Sequence, residues 1–436
     1  MHVIVAGGGL AGLVAALQAP ELGARVTLLE KGDRVGGSIL YSSGYIWSYK
    51  DLPTFRREAP GGDPVLQRLI LESLEADVDW LEENTVPALT RETGNPITFG
   101  ARFDPKQVVA ALNDRIATSG GRILLQSSLK GLEQEPEGGV NGVRVASDEG
   151  PRTERADAVI LASGGFAANP ELVRRHIIRG PGTMRLRAHP WSTGDGLLAA
   201  LEAGARTSAG LDEFYGRNLP TPPADLAPEQ FVEVSQLYGR YAVAINRGGE
   251  RYADEAADWS ETALTRATAR QPGLRAWYIL DAAGLRERVR DRPVEDMVGT
   301  ARSVGGTVIR ARTLEELANR LAESEVPREN VLRTLEEYNA AATDGRAREL
   351  SPPRSAPAAP IQDPPFVAVE VAPTITHTMG GLAVDAGCRV LHQADGLPIP
   401  GLYAAGVEVG GVSVGGYTSG LASALVFGRR AAKSAC

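Results

Sequence analysis

Residues 3–30 read V-I-V-A-G-G-G-L-A-G-L-V-A-A-L-Q-A-P-E-L-G-A-R-V-T-L-L-E, and no other stretch constrains the fold as tightly. Val3-Ile4-Val5-Ala6 is a short β-branched apolar run, the pattern of a strand buried on both faces. It enters Gly7-x-Gly9-x-x-Gly12, a helical stretch Leu13–Gln18, and a second strand, Ala24 to Leu29, closed by Glu30. The three glycines thus sit after a strand and open a helix, the context that gives a G-x-G-x-x-G run its meaning. Gly7 makes the turn, Gly9 lets backbone approach a pyrophosphate, and Gly12 lets helix and strand pack closely. Leu10 and Ala11, between Gly9 and Gly12, are expected cofactor contacts, and the unpaired N–H groups and positive dipole end of the helix that follows face the anion. Glu30, 18 residues beyond Gly12, is placed to accept from ribose hydroxyls. The expectation is a doubly wound α/β dinucleotide-binding domain.

The chain has 436 residues, more than one ordinary core organises, so two domains are expected. A net charge of -8 disfavours nucleic acid as a partner, because a phosphate-binding surface needs a basic stripe. The two cysteines, Cys388 and Cys436, supply neither a disulfide framework nor a metal cluster. No run of 18 apolar residues occurs, and no cationic leader precedes the first strand. The sequence therefore reads as a cytoplasmic protein without a membrane span or metal, acting on a small molecule.

Later segments identify the nucleotide. Glu30-Lys31 is followed by Gly36-Gly37-Ser38; Ala158–Ala162 runs into Ser163-Gly164-Gly165-Phe166; Gly401-Leu402-Tyr403-Ala404-Ala405-Gly406 lies near the C-terminus. All three resemble FAD-contacting segments of flavoproteins with two dinucleotide-binding domains. In order along the chain, Ala162–Phe166, Ser192-Thr193-Gly194-Asp195-Gly196, Asn246–Glu255, Thr376-His377-Thr378-Met379-Gly380-Gly381 and the Phe427–Ala432 ending resemble the fumarate reductase/succinate dehydrogenase flavoprotein family, which includes ketosteroid dehydrogenases. The resemblance implies an FAD domain, residues 1–212 and 362–436, interrupted by an α+β cap over 213–361. It also implies FAD contacts at Lys31, Gly36, Gly37, Ser38, Ser43, Gly44, Ala162, Ser163, Gly164, Asp195, Gly406, Glu408, Leu421 and Ala422. Tyr41–Tyr49 holds no histidine of the kind that tethers FAD in membrane-bound members, so the cofactor is expected to be non-covalent.

The chain also departs from that family. His377 matches one substrate-binding histidine, but the catalytic arginine after the cap motif is replaced, by ungapped count, with Trp259. No Arg or Lys occurs between Arg389 and Arg429, and residues 406–423 are uncharged apart from Glu408. A dicarboxylate would be buried unpaired, at several kcal/mol per charge. Gly415-Gly416-Tyr417-Thr418 instead resembles the ketone-binding loop of ketosteroid dehydrogenases, with Thr418 in place of Pro. The expectation is a flavoenzyme acting on a CH–CH bond beside a carbonyl, with Tyr417 and His377 at the carbonyl. Tyr215 with Arg217, and Tyr238 with Arg240, are proton-handling candidates; each pair is spaced to share one face of a strand. The alternatives are an amine or amino-acid oxidase and a non-catalytic electron-transfer flavoprotein. The electron donor or acceptor is left open.

The two helices expected before the Pro/Ala-rich stretch 351–360 are amphipathic. Thr313 is the N-cap of the first, with Glu316 completing a capping box, and Arg328–Ala341 forms the second.

Overall fold

The computed structural model describes residues 1–178, 180–221, 226–258, 261–289 and 291–436. Trp259, assigned above to the position of the missing arginine, lies outside them.

Two compact units form. The first gathers Met1–Ile177, Ala188–Tyr215 and Thr376–Cys436; the second gathers Ile178–Arg187 and Gly216–Ile375. In the first unit, strand β1 (His2–Ala6), helix α1 (Leu10–Glu21) and strand β2 (Arg25–Leu29) realise the expected βαβ unit. β1 pairs in parallel with β2 on one side, Val3 against Val26, and with Ala158–Leu161 on the other. Arg122–Leu124 extends the sheet beyond β2; Pro398–Ala404 extends it beyond Ala158–Leu161, and antiparallel Arg389–Leu391 closes that edge. Val3, Ile4 and Val5 are wholly buried, as a strand covered by helices on both faces requires. The last helix, Gly420–Ala435, packs against α1. Gly428 makes this possible, since a Cβ there would lie 2.6 Å from the Ala11 carbonyl oxygen.

The second unit is built around one ten-residue strand, Phe366–Ile375. Ala276–Leu280, Val308–Ala311 and Asn218–Pro220 pair with it antiparallel, and Arg185–Leu186 pairs in parallel. Val367, Val369 and Val371 join one core with Tyr238 and Tyr278; Phe366 and Ala368 join another with Trp277 and Tyr338. This strand shifts the boundary from 361 to Ile375: the Pro-rich stretch leads into the unit's central strand, not out of the unit. Arg354 within that stretch is buried and donates to Glu255 at 2.9 Å. Glu255 also accepts from Nε and Nη2 of Arg251, at 2.9 and 2.7 Å. The R-Y-x-x-E segment is thus a buried ion-paired clasp, a structural role. The two amphipathic helices span Leu314–Ala322, capped by Thr313, and Arg328–Thr343.

Candidate active site

The glycines of the first turn divide their work. Gly7 has φ +118°, and a Cβ on it would lie 2.4 Å from the Ala162 carbonyl oxygen; one on Gly12 would lie 1.8 Å from that of Gly7. Both are closed by backbone. Gly9, the N-cap of α1, has nothing within 4 Å of its Cβ position, so the helix start faces open space. Leu10 and Ala11 are buried behind it. Glu30 is buried and accepts the N–H groups of Gly8 at 2.7 Å and Gly32 at 2.6 Å. Burial raises its carboxyl above the usual range, against those hydrogen bonds. Lys31 pairs with Asp195 at 2.8 Å, and Thr193 donates to the same carboxylate.

The second glycine loop returns to the first: the Gly36 N–H donates to the Gly8 carbonyl at 2.7 Å, and Gly37 lies against Gly9. Ser38 falls in the single turn Gly37–Tyr41, while Ser43 and Gly44 follow it, Gly44 with φ +75°. Sequence reasoning missed the other wall. The Trp191 ring lies over Gly32, 2.1 Å from where a Cβ would stand, and His189 lies beside Gly37. Burial pushes the His189 imidazole down to about 4, so it is neutral next to Lys31 and Arg34.

Ala162, Ser163 and Gly164 end their strand at the buried Glu408, whose Oε1 accepts from Ser163 and from the Gly165 N–H at 3.1 Å. Burial raises the Glu408 carboxyl as well. Gly406, with φ +64°, and the helix start at Gly420, Leu421 and Ala422 lie further along. A small cleft is lined by His377, Thr378, Gly406, Thr418, Gly420 and Ser423 among others. Glu408 Oε2 and the hydroxyls of Thr378 and Thr418 are buried with no hydrogen-bond partner among the described residues. Leaving such groups unpaired costs about 1–3 kcal/mol each. A flat ring edged with carbonyl and N–H groups, as in a flavin, fits that polar lining. The open Gly9 turn fits the pyrophosphate.

Beside the cleft lies an aromatic cluster. The rings of Tyr215 and Tyr417 stack at 3.9 Å, only 6° from parallel. His377 is 5.2 Å from Tyr215 and 6.2 Å from Tyr417. The pairing of Phe214–Tyr215 with His377–Thr378 brings two of these rings together, Tyr215 opposite His377. Trp47 meets Tyr417 edge-on at 5.7 Å, and the Tyr49 hydroxyl donates to the Tyr417 carbonyl at 2.7 Å. Gly416 locks the loop, since a Cβ there would lie 1.7 Å from the Glu58 carbonyl oxygen. His377 Nδ1 sits 3.1 Å from the Thr378 carbonyl, which can only accept, so Nδ1 carries the hydrogen. In the neutral ring Nε2 is then an acceptor, and it donates to a substrate oxygen only when the ring is protonated.

The remaining candidates lie in the second unit, and the expected strand faces do not form for them. Tyr238 precedes the short turn Gly239–Tyr241 that holds Arg240. Tyr238 is fully buried, its hydroxyl donates to Gln236 at 2.6 Å, and burial with nearby Glu261 holds its phenol well above the ordinary value. The Arg240 guanidinium lies over the Tyr241 ring at 5.9 Å. Arg217 is buried, and its carbonyl accepts from both the N–H and the hydroxyl of Thr374. It precedes a strand of the second unit, whereas Tyr215 belongs to the first.

Glu261 was invisible in the sequence. It is buried, accepts the Gly239 N–H at 2.8 Å, and burial raises its carboxyl to about 8 despite the Arg217 charge. Its ordinary value is 4.5, so between these two pH values the native state holds a proton that the unfolded chain has released. The resulting stability is fully present below 4.5, falls as pH rises, and is exhausted once pH passes about 8. The slope is about 1.4 kcal/mol per pH unit in that window. Urea unfolding midpoints followed from pH 5 to 9 should fall, and Glu261→Gln should flatten the trend; parallel trends would remove Glu261 as its cause.

Fold and site together define an FAD-dependent oxidoreductase of the class acting on CH–CH bonds. A model of the FAD binding domain family matches residues 2–425, and the chain belongs to that family. It is 28% identical over 465 residues to a fumarate reductase (cytochrome) of Shewanella frigidimarina, covering 100% of this chain and 77% of that protein. It is 27% identical over 429 residues to an NADH:fumarate oxidoreductase of Klebsiella pneumoniae, covering 93% of this chain; the chain spans only 44% of that relative's length. A 3-ketosteroid dehydrogenase structure from Rhodococcus jostii, 24% identical, shares the fold with a TM-score of 0.76 over 99% of this chain and 96% of that one. No helix among the described residues is long and apolar enough to cross a membrane.

Proposed function

We propose that the protein exchanges hydride with a carbon next to the carbonyl of a substrate that is not a dicarboxylate, and that Tyr417 polarises that carbonyl. The observation carrying this reading is the Tyr215–Tyr417 stack beside His377, in a loop free of cations. A ketone oxygen gathers negative charge as the neighbouring C–H bond is made or broken. A phenol held rigid by stacking meets that charge without reorganising. Gly7, Gly9, Gly12, Glu30, Lys31 and Asp195 would hold the nucleotide half of FAD; Glu408, Gly406 and the start of the last helix would hold the ring. When bound, FAD supplies hydride exchange. His377 lines the same cluster, its ring 6.2 Å from that of Tyr417.

The test is an anaerobic panel of cyclic ketones, enones, enoates, fumarate, succinate and amino acids, read by the flavin spectrum. Ketones or enones should change its redox state fastest. Fast turnover of fumarate or succinate would sink the reading, and bleaching by amino acids with peroxide release would replace it with an oxidase.

A further inference from the structure

We propose that the Ser192 hydroxyl donates a hydrogen bond to the pyrophosphate of FAD, and that His189 fixes the direction of that donation. Both residues serve the cofactor, whatever substrate the enzyme takes.

One short segment, residues 189–194, crosses the first unit where three parallel strands end: β1, β2 and Ala158–Leu161. His189 Nε2 lies 3.4 Å from the point where a Cβ on Gly37 would stand, and the Gly9 Cα is 3.1 Å from the same point. The Trp191 ring covers Gly32, just beyond β2. Ser192 Oγ lies 2.8 Å from the Cβ position of Gly164, just beyond Ala158–Leu161. Backbone bonds hold the segment there: the Ala168 N–H donates to the Ser192 carbonyl and the Gly194 N–H to the Gly165 carbonyl, both at 2.9 Å. The space outside the carboxyl ends of such strands is where a doubly wound sheet receives its dinucleotide.

The hydrogen bonds of the segment have only one consistent polarity. The Trp191 N–H donates to His189 Nδ1 at 3.1 Å. A backbone N–H can only donate, so Nδ1 carries a lone pair and the ring hydrogen sits on Nε2. Nε2 is 3.2 Å from Ser192 Oγ, so the imidazole donates and the hydroxyl oxygen accepts. A second ring proton would set N–H against N–H at Nδ1. Burial opposes that proton too, with the Lys31 and Arg34 charges adding to it. The serine hydrogen is therefore turned away from the ring, and no acceptor takes it among the described residues. Ser192 is only 3% exposed. A hydroxyl hydrogen so buried calls for a partner.

That partner is an oxygen brought by the cofactor. The pyrophosphate is the part of FAD that meets the Gly9 turn, and its charged oxygens accept without donating. The nearby Lys31 is committed to Asp195 and Thr193. The anion is then met by neutral donors, the N–H groups of the turn and the Ser192 hydroxyl. A donor whose direction is set before the ligand arrives loses little freedom on binding.

The experiment titrates FAD and ADP into the full-length apoprotein by calorimetry, with the melting temperature of each variant measured alongside. Ser192→Ala should bind both ligands about tenfold more weakly, since ADP carries the same pyrophosphate. His189→Leu should lose about as much, and adding it to Ser192→Ala should cost little more. His189→Gln keeps a side-chain N–H for Ser192 and should recover most of the loss. Wild-type affinity in Ser192→Ala, a loss for FAD with ADP unchanged, or additive losses in the double variant would each overturn the proposal. A measurement on the wild type holds even if Ser192→Ala does not fold. Its imidazole ¹⁵N shifts at pH 7, with the His189 signal assigned by its loss in His189→Gln, should report hydrogen on Nε2; hydrogen on Nδ1 would overturn the proposal.

Discussion

Gly9→Ala is expected to fold as the wild type does and to bind FAD about 10- to 100-fold more weakly. Gly9 has φ -74° and ψ -178°, which alanine adopts without strain, and nothing lies within 4 Å of the added methyl. The apoprotein loses nothing. The methyl stands where the pyrophosphate would meet the helix start, and overpacking of about 1–3 kcal/mol corresponds to that loss of affinity. Gly12→Val is the harsher change. Its Cβ would lie 1.8 Å from the Gly7 carbonyl oxygen, a backbone atom that moves only with β1 and α1, so both FAD binding and the melting temperature should collapse. Flavin titration of the apoproteins with far-ultraviolet circular dichroism separates the two. Wild-type FAD affinity in Gly9→Ala would mean that the cofactor does not approach this turn.

The contrast between these glycines also shows what sequence can and cannot convey. Spacing alone was enough to expect the turn at Gly7 and the close packing at Gly12, because strand, turn and helix are local and each step depends on its neighbours. The Thr313 cap and its helix were legible for the same reason. Phe366–Ile375 was misassigned because its partners lie up to about 190 residues away, and a hydrophobic run does not say which sheet it joins. Tyr238 and Arg240 looked like neighbours on a strand face. Gly239 lies between them, and a Cβ there would be 2.3 Å from Leu264, so the backbone turns at that point and the tyrosine enters the core. His377 and Tyr417 were legible as motif residues, yet their clustering with Tyr215 was not, since the pairing of 214–215 with 377–378 and the loop carrying Tyr417 bring it together from three separate segments. Glu261 is the extreme case: burial and a left-handed backbone give it its character, and neither leaves a trace in the surrounding E-T-A-L.

Tyr417→Phe should lower turnover with a ketone or enone at least about tenfold, a loss of about 1.4 kcal/mol of transition-state stabilisation. The substitution is clean because phenylalanine preserves the ring that stacks on Tyr215 at 3.9 Å and meets Trp47 at 5.7 Å. The carbonyl that accepts from Tyr49 is backbone and survives as well. What goes is one hydroxyl, so kcat should fall, and melting temperature and flavin content measured alongside separate lost catalysis from lost structure. Tyr215→Phe serves as the comparison. It keeps the same stack and removes the other phenol, so a drop confined to Tyr417→Phe assigns the carbonyl contact to that residue. If both variants turn over at the wild-type rate, the stack is packing and the carbonyl is polarised elsewhere. A protonated His377 is then the alternative donor, its Nδ1 lying 3.1 Å from the Thr378 carbonyl. That case has its own mark: His377→Ala would then lose the turnover that Tyr417→Phe keeps, because the donor to the carbonyl goes with the imidazole.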